Sequence, residues 1–77
     1  MSDARSVDLR GLKCPTPIVR LNEEIRNMVD DEELIAVASD RAFELDVKSW
    51  CRRTGHELRS LEANANEITI CVRKRAT

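Results

Sequence analysis

The sequence lacks the features that mark several common function classes. Its 13 Lys and Arg residues nearly balance its 14 Asp and Glu residues, for a formal net charge of −1, which gives little support to binding of a polyanion such as nucleic acid. No apolar run approaches the length that crosses a bilayer. The opening residues, MSDARSVDL, do not resemble a secretory signal. We therefore expect a cytoplasmic protein that contacts neither a membrane nor nucleic acid directly.

Cysteine is sparse, and its spacing is not that of a metal site. Cys14, Cys51 and Cys71 are far apart in the sequence, with no Cys-x-x-Cys pair and no Cys/His spacing typical of zinc or iron–sulfur centres. Each is expected to be a free thiol in a reducing compartment. His56 is the only histidine, and nothing in the sequence places it beside Cys14 as a catalytic partner.

Four strands are predicted from the pattern of apolar residues. The segments that carry the pattern are Val7 with Leu9, the run at 34–39, Leu58 with Leu61, and Ile68 with Ile70 and Val72. The unbroken run LIAVAS favours a strand with a neighbour on each edge. The last two segments are close in sequence, with the turn sequence NAN between them, so we expect them to form an antiparallel hairpin.

Two helices are predicted between these strands. Apolar residues recur at helical spacing in two stretches: Ile18, Leu21, Ile25 and Met28, then Phe43, Val47, Trp50 and Cys51. Pro15 and Pro17 fit only near the start of the first helix. Asp40 is expected to cap the second helix, and Gly55 to end it after about Thr54.

These elements follow one another in the order β-α-β-α-β-β, within 77 residues. A strand-helix-strand unit favours parallel pairing with a right-handed crossover, so a mixed sheet is expected. We predict one domain, residues 1–77, with the fold class α/β (α+β) two-layer sandwich, a four-stranded mixed sheet and two helices on one face.

Cys14 lies at the junction between the first predicted strand and the first predicted helix. It is expected at the N-cap or the residue beside it, where free amides and the helix dipole favour an anion, so we expect a stabilised thiolate. Nearby Arg10 and Lys13 add a smaller, screened contribution. Pro15 and Pro17 lack N–H groups and are expected to hold the sulfur exposed with few hydrogen bonds. The alternative is that Cys14 is a small apolar filler.

The remaining candidates are more readily explained by structural roles. Cys51 continues a buried helical stripe, and Cys71 is out of phase with its strand's apolar residues, so it is expected on the sheet face away from the helices. Asp8, Asp40 and Asp46 are candidate polar site residues, but Asp40 has a role as a cap and Asp46 is expected on the helix surface. Solvent-exposed surface is likewise favoured for Arg52, Arg53 and the VRKR segment.

The segment DLRGLKCPTPIVRLNEEI resembles the Cys-Pro-x-Pro motif of the TusA/SirA sulfur-carrier family. The matching residues in and beyond the motif are Asp8, Gly11, Leu12, Cys14, Pro15, Pro17, Ser39, Asp40, Asp46, Gly55 and the late VRK. Members of this family have a β-α-β-α-β-β two-layer fold, and their motif cysteine accepts sulfane sulfur as a persulfide. The resemblance implies that Cys14 is the carrier residue, supported by Gly11, Pro15 and Pro17.

The resemblance also implies partners. The sulfur donor would be a protein such as a cysteine desulfurase or a rhodanese, the acceptor a sulfur-relay protein, and Arg10 and Lys13 would assist docking. No metal or organic cofactor is required. The family serves tRNA thiolation, sulfur oxidation and cofactor maturation. Two alternatives stay open at this point: a non-catalytic regulatory or protein-interaction module, and a thiol-redox sensor that uses Cys14 with Cys71.

Overall fold

The computed structural model describes residues 5–75, and its elements follow the predicted order. The strands are β1 (Arg5–Leu9), β2 (Glu33–Ala38), β3 (Glu57–Ala63) and β4 (Ile68–Arg73), and the helices are α1 (Thr16–Arg26) and α2 (Phe43–Thr54). The strand order in the sheet is β1-β2-β4-β3, with β1 parallel to β2 and β4 antiparallel to both of its neighbours. The mixed sheet and two helices confirm the predicted two-layer α+β sandwich.

One face of the sheet is buried beneath the helices. Its core consists of Leu9, Leu21, Ile25, Met28, Leu34, Ala36, Ala38, Phe43, Val47, Trp50, Cys51, Ile68, Ile70 and Val72. Burial alternates along β4, and Ile35, on the opposite face of β2, is 41% exposed. This one-sided burial is what produced the alternating pattern in the sequence.

An irregularity in β3 explains the spacing of its two leucines. Leu58 pairs with Val72, and the next paired residue is Ser60, so Arg59 is an extra residue in the strand. Strict alternation would place two residues three positions apart on opposite faces. The extra residue shifts this phase, and both Leu58 and Leu61 pack against the core.

The first helix begins close to the predicted place. Pro15 is the N-cap residue of α1, without a side-chain cap, and Thr16 is the first helical residue. Pro17 is fully buried, and its ring packs inward from the first turn of the helix. Met28 is buried as expected but lies beyond the last helical residue, Arg26.

The second helix corrects the prediction that Asp40 is its cap. The N-cap residue is Ala42, with no side-chain cap, and α2 begins at Phe43. Asp40 Oδ1 instead accepts a hydrogen bond from the Ala42 amide at 3.0 Å, which closes a turn ahead of the helix. At the other end Gly55 has φ 85°, the left-handed conformation that ends helices, as predicted. Within residues 5–75, neither helix combines the length and apolarity of a membrane span.

Candidate functional site

Cys14 lies in the loop between β1 and α1, beside the carboxyl ends of two parallel strands. Gly11 has φ +82° in this loop, a conformation that glycine adopts without a side-chain penalty. Its amide donates a hydrogen bond to Ser39 Oγ at 2.9 Å, which ties the loop to the segment that follows β2. Cys14 is exposed and is joined to Pro15 by a cis peptide bond. The loop therefore presents the sulfur at one edge of the molecule.

Two carboxylates hold Cys14 in place. The Cys14 amide donates a hydrogen bond to Asp40 Oδ2, and the Cys14 thiol donates one to Asp46 Oδ2, both at 2.7 Å. Asp40 precedes α2, and Asp46 lies in its first turn. The hydrogen bonds from the Cys14 and Ala42 amides lower the pKa of Asp40 because they favour its charged form. Cys14 is thus fixed through both its backbone and its side chain.

The electrostatics at Cys14 overturn the prediction of a stabilised thiolate. The hydrogen bond to Asp46 raises the pKa of Cys14, and partial desolvation and the charges of Asp46 and Asp40 add to the effect. The dipole of α1 would lower the pKa of Cys14, but the helix begins only at Thr16. The Asp46 carboxylate contacts the sulfur directly, so its effect on the pKa is the larger one. The surroundings of the Cys14 sulfur therefore favour the thiol over the thiolate.

A shallow pocket adjoins this sulfur. It has a volume of about 210 Å³ and is lined by Cys14, Pro15, Ile18, Asp46, Ser49 and Arg53. Arg53 is exposed, and no carboxylate of the described residues forms an ion pair with it. The space exceeds that of a water molecule several times over. The pocket therefore has room for an additional atom on the sulfur, beside a positive charge.

The two predicted docking residues lie in different surroundings. Arg10 Nε donates to Asp8 Oδ1 at 2.9 Å and Arg10 Nη1 to Glu67 Oε2 at 3.1 Å. Its guanidinium lowers the pKa of Asp8 to about 2. Lys13 is exposed, lines a neighbouring hollow of about 350 Å³ and helps to lower the pKa of Asp40. Lys13 is the more available of the two for contact with a partner, since two carboxylates already engage Arg10.

The other two thiols lie away from Cys14. Cys51 is buried in the core, as predicted, and burial raises its pKa to about 11. Cys71 lies on the open face of the sheet, also as predicted, with its sulfur 3.8 Å from Glu33 Oε1. Because Cys14 contacts α2 on the opposite side, the structure does not pair Cys14 with Cys71 as a redox sensor would require.

His56 is not part of the site either. Its ring lies 5.5 Å from that of Trp50, centroid to centroid, and its Nδ1 accepts a hydrogen bond from the Arg75 amide at 3.1 Å. Over residues 5–75, the His, Cys, Asp and Glu side chains form no group of three or more suited to a metal ion. The chemistry of the site therefore centres on Cys14 and its carboxylate neighbour.

Three pocket residues lie on α2. Asp46 is a candidate site residue that was expected on the helix surface, Arg53 was also expected at the surface, and no sequence pattern singles out Ser49. Asp46, Ser49 and Arg53 follow one another at helical steps of three and four on α2. Residues at this spacing share one helix face, and this face lies next to the buried stripe. The spacing in the sequence predicts that these residues share a helix face. It does not predict that this face contacts the Cys14 loop.

Together the fold and site define a small α+β domain that presents one cysteine in a Cys-Pro-x-Pro loop. The family model described as "Sulfurtransferase TusA" matches residues 5–74, and the chain belongs to this family. It is similar to "Sulfur carrier protein TusA" of Pseudomonas putida (strain ATCC 700007 / DSM 6899 / JCM 31910 / BCRC 17059 / LMG 24140 / F1), at 31% identity over 70 residues, which are 91% of this chain and 88% of the relative.

A second relative is longer. The "Putative sulfur carrier protein" of Aquifex aeolicus (strain VF5) is 31% identical over 74 residues, which are 96% of this chain but 38% of the relative. The chain therefore spans well under half the length of the Aquifex protein.

Proposed function

We propose that this protein is a sulfur carrier that accepts sulfane sulfur as a persulfide on Cys14 and relays it to an acceptor protein. The observation that carries the proposal is the placement of Cys14: its sulfur is exposed, held by a loop with two carboxylate anchors, and opens onto a pocket with room for a further atom. Membership of the TusA family and the names of the relatives support the same role.

The transfer needs only thiol chemistry. The Cys14 sulfur, after losing its proton, attacks the outer sulfur of a donor persulfide, and the donor cysteine leaves as a thiolate when the original sulfur–sulfur bond breaks. In the second transfer, an acceptor thiolate attacks the outer sulfur of the Cys14 persulfide. The sulfur–sulfur bond breaks, and Cys14 leaves as a thiolate. The relay needs no net oxidant, no metal and no organic cofactor.

The proposed partners are a donor such as a cysteine desulfurase or a rhodanese and an acceptor of the sulfur-relay type. Lys13 is the candidate docking residue near the sulfur, and Arg10 a second one farther along the loop; contacts through them would weaken with salt. We place the exchange in the cytoplasm, where a reducing environment keeps thiols free. The process that uses the transferred sulfur is tRNA thiolation, sulfur oxidation or cofactor maturation.

Intact-mass measurement tests this role. After incubation with a cysteine desulfurase and cysteine, the wild type should gain the mass of one sulfur atom, and Cys14→Ser should gain none. Cys71→Ser is the matched control and should load like the wild type. A sulfur gain in Cys14→Ser would contradict the site, and failure of every donor to load the wild type would favour the non-catalytic interaction module.

A further inference from the structure

Asp46 has a contact with the Cys14 sulfur that the proposed function does not by itself require. Among the described residues, Asp46 Oδ2 is the hydrogen-bond partner of Cys14 Sγ, at 2.7 Å. Asp46 is partly buried in the first turn of α2 and forms no ion pair within residues 5–75. Its carboxylate therefore accepts a hydrogen bond from the thiol and is not paired with a cation of the described residues.

We propose that Asp46 is a positioning residue that holds Cys14 as a neutral thiol in the free protein, and so makes its sulfur poorly reactive toward small electrophiles and oxidants in solution. The benefit of this effect rests on the proposed function, because low reactivity toward other reagents would keep the carrier cysteine available for sulfur donors. The effect on the thiol does not depend on that function.

The charges around Cys14 favour this arrangement. From α2, Asp46 contacts the sulfur directly and Arg53 lines the pocket. From the segment before α2, Asp40 adds a second negative charge, and Lys13 of the loop itself lies near Asp40. Ile18, the residue of α1 that lines the pocket, carries no charge. A thiolate would face one carboxylate at contact distance and another nearby, whereas a thiol donates a hydrogen bond to the nearer one.

Removal of that contact has a calculable effect on reactivity. The thiolate is the reacting form, so below the pKa of the thiol each unit of pKa increase lowers its population tenfold. The intrinsic nucleophilicity of the thiolate rises with pKa, with a Brønsted coefficient of about 0.4–0.5. The net reactivity at neutral pH therefore falls about three- to fourfold for each unit by which Asp46 raises the pKa.

The test follows the alkylation of Cys14 by iodoacetamide in the full chain between about pH 6 and 10, with peptide mass spectrometry to isolate Cys14 from the other thiols. Asp46→Asn should shift the midpoint of the pH–rate profile to lower pH and raise the rate at pH 7, by about three- to fourfold for each unit of that shift. Because an asparagine amide can itself donate to the sulfur, Asp46→Ala is the second variant and should shift the midpoint in the same direction.

Glu44→Gln is the matched control. Glu44 is also acidic and in the first turn of α2, but it pairs with Lys48 at 3.4 Å, so the profile of Cys14 should not move. Circular dichroism of each variant checks that the fold is kept. A midpoint that stays at the wild-type pH in both folded Asp46 variants would overturn the proposal, as would an equal shift in Glu44→Gln.

The two proposals fail separately. A lower midpoint in the Asp46 variants, combined with no sulfur loading from any donor, would support the role of Asp46 and overturn the carrier function. Sulfur loading on Cys14, combined with an unchanged midpoint in the Asp46 variants, would support the carrier function and overturn the role of Asp46.

Discussion

The indole N–H of Trp50 donates a hydrogen bond to Asn22 Oδ1 at 2.8 Å, which joins α2 to α1. Trp50 is 1% exposed, so its polar atom has little access to water. Cys14 lies just before α1, while its neighbour Asp46 lies on α2. This bond therefore joins the two helices that flank the site.

Asn22→Ala should lower the free energy of unfolding by about 1–3 kcal/mol, because the buried indole N–H loses its acceptor. Urea unfolding followed by Trp50 fluorescence measures the change. Glu23→Ala, an exposed substitution next to it on α1, is the control and should change the free energy by no more than about 0.5 kcal/mol. Equal effects of the two substitutions would contradict the structural role of the hydrogen bond.

Gly11→Ala should destabilise the fold by about 1–2 kcal/mol through backbone strain alone. A Cβ at this position would meet no heavy atom within 4 Å, but the backbone φ is +82°. Gly11→Asn is the informative comparison, since asparagine tolerates this conformation better than alanine. Urea unfolding should rank the three proteins as wild type, Asn variant and Ala variant in decreasing stability; an Ala variant as stable as the wild type would contradict the strain.

The carboxyl of Asp8 should titrate with a pKa of about 2, below its ordinary value of 3.8, because it accepts hydrogen bonds from Arg10. A depressed pKa stabilises the fold above the unfolded-state value, and this contribution is lost as the pH falls from about 3.8 toward 2. Arg10→Gln should return the pKa toward its ordinary value, measured by NMR titration of the side-chain carboxyl carbon.

Arg59→Gln serves as the control for this titration, since Arg59 pairs with Glu57 and Glu33 instead. It should leave the Asp8 midpoint unchanged. An Asp8 midpoint near 3.8 in the wild type would show that the Arg10 contact is not maintained in solution.

Arg53→Gln should slow sulfur uptake by Cys14 by a factor of about 1.4 to 5, the effect of losing an exposed charge interaction of about 0.2–1 kcal/mol. Arg53 lines the pocket beside Cys14, where a persulfide would place negative charge. Arg52→Gln removes the neighbouring charge, which does not line this pocket, and should leave uptake unchanged. The initial rate of mass gain with a desulfurase measures both; an equal loss in the two variants would indicate general docking charge rather than a pocket contact.

Much of the fold could be predicted because burial on one side imposes a period on the sequence. Ile68, Ile70 and Val72 alternate because β4 has one buried face, and Val47 and Trp50 share the stripe of α2 that covers it. Gly55 ends α2 in the left-handed conformation that its residue type favours. These are local signals, and each was confirmed.

The site was less predictable because it depends on a contact between distant residues. Asp46 follows Cys14 by 32 positions, and only the packing of α2 against the loop brings them together. The dipole of α1 is a local signal and this carboxylate is not, so the predicted stabilised thiolate was wrong. Similarly, nothing local in β3 indicated that Arg59 would be an extra residue.

The most direct test is to locate the transferred sulfur in the wild-type chain. Trypsin cleavage after Lys and Arg places the three cysteines on separate peptides, residues 14–20, 49–52 and 60–73. After loading with a cysteine desulfurase and cysteine, then blocking with an alkylating reagent, tandem mass spectrometry should find the additional sulfur on the peptide of Cys14 alone. An additional sulfur on the Cys51 or Cys71 peptide, or on none of the three, would contradict the assignment of Cys14 as the carrier.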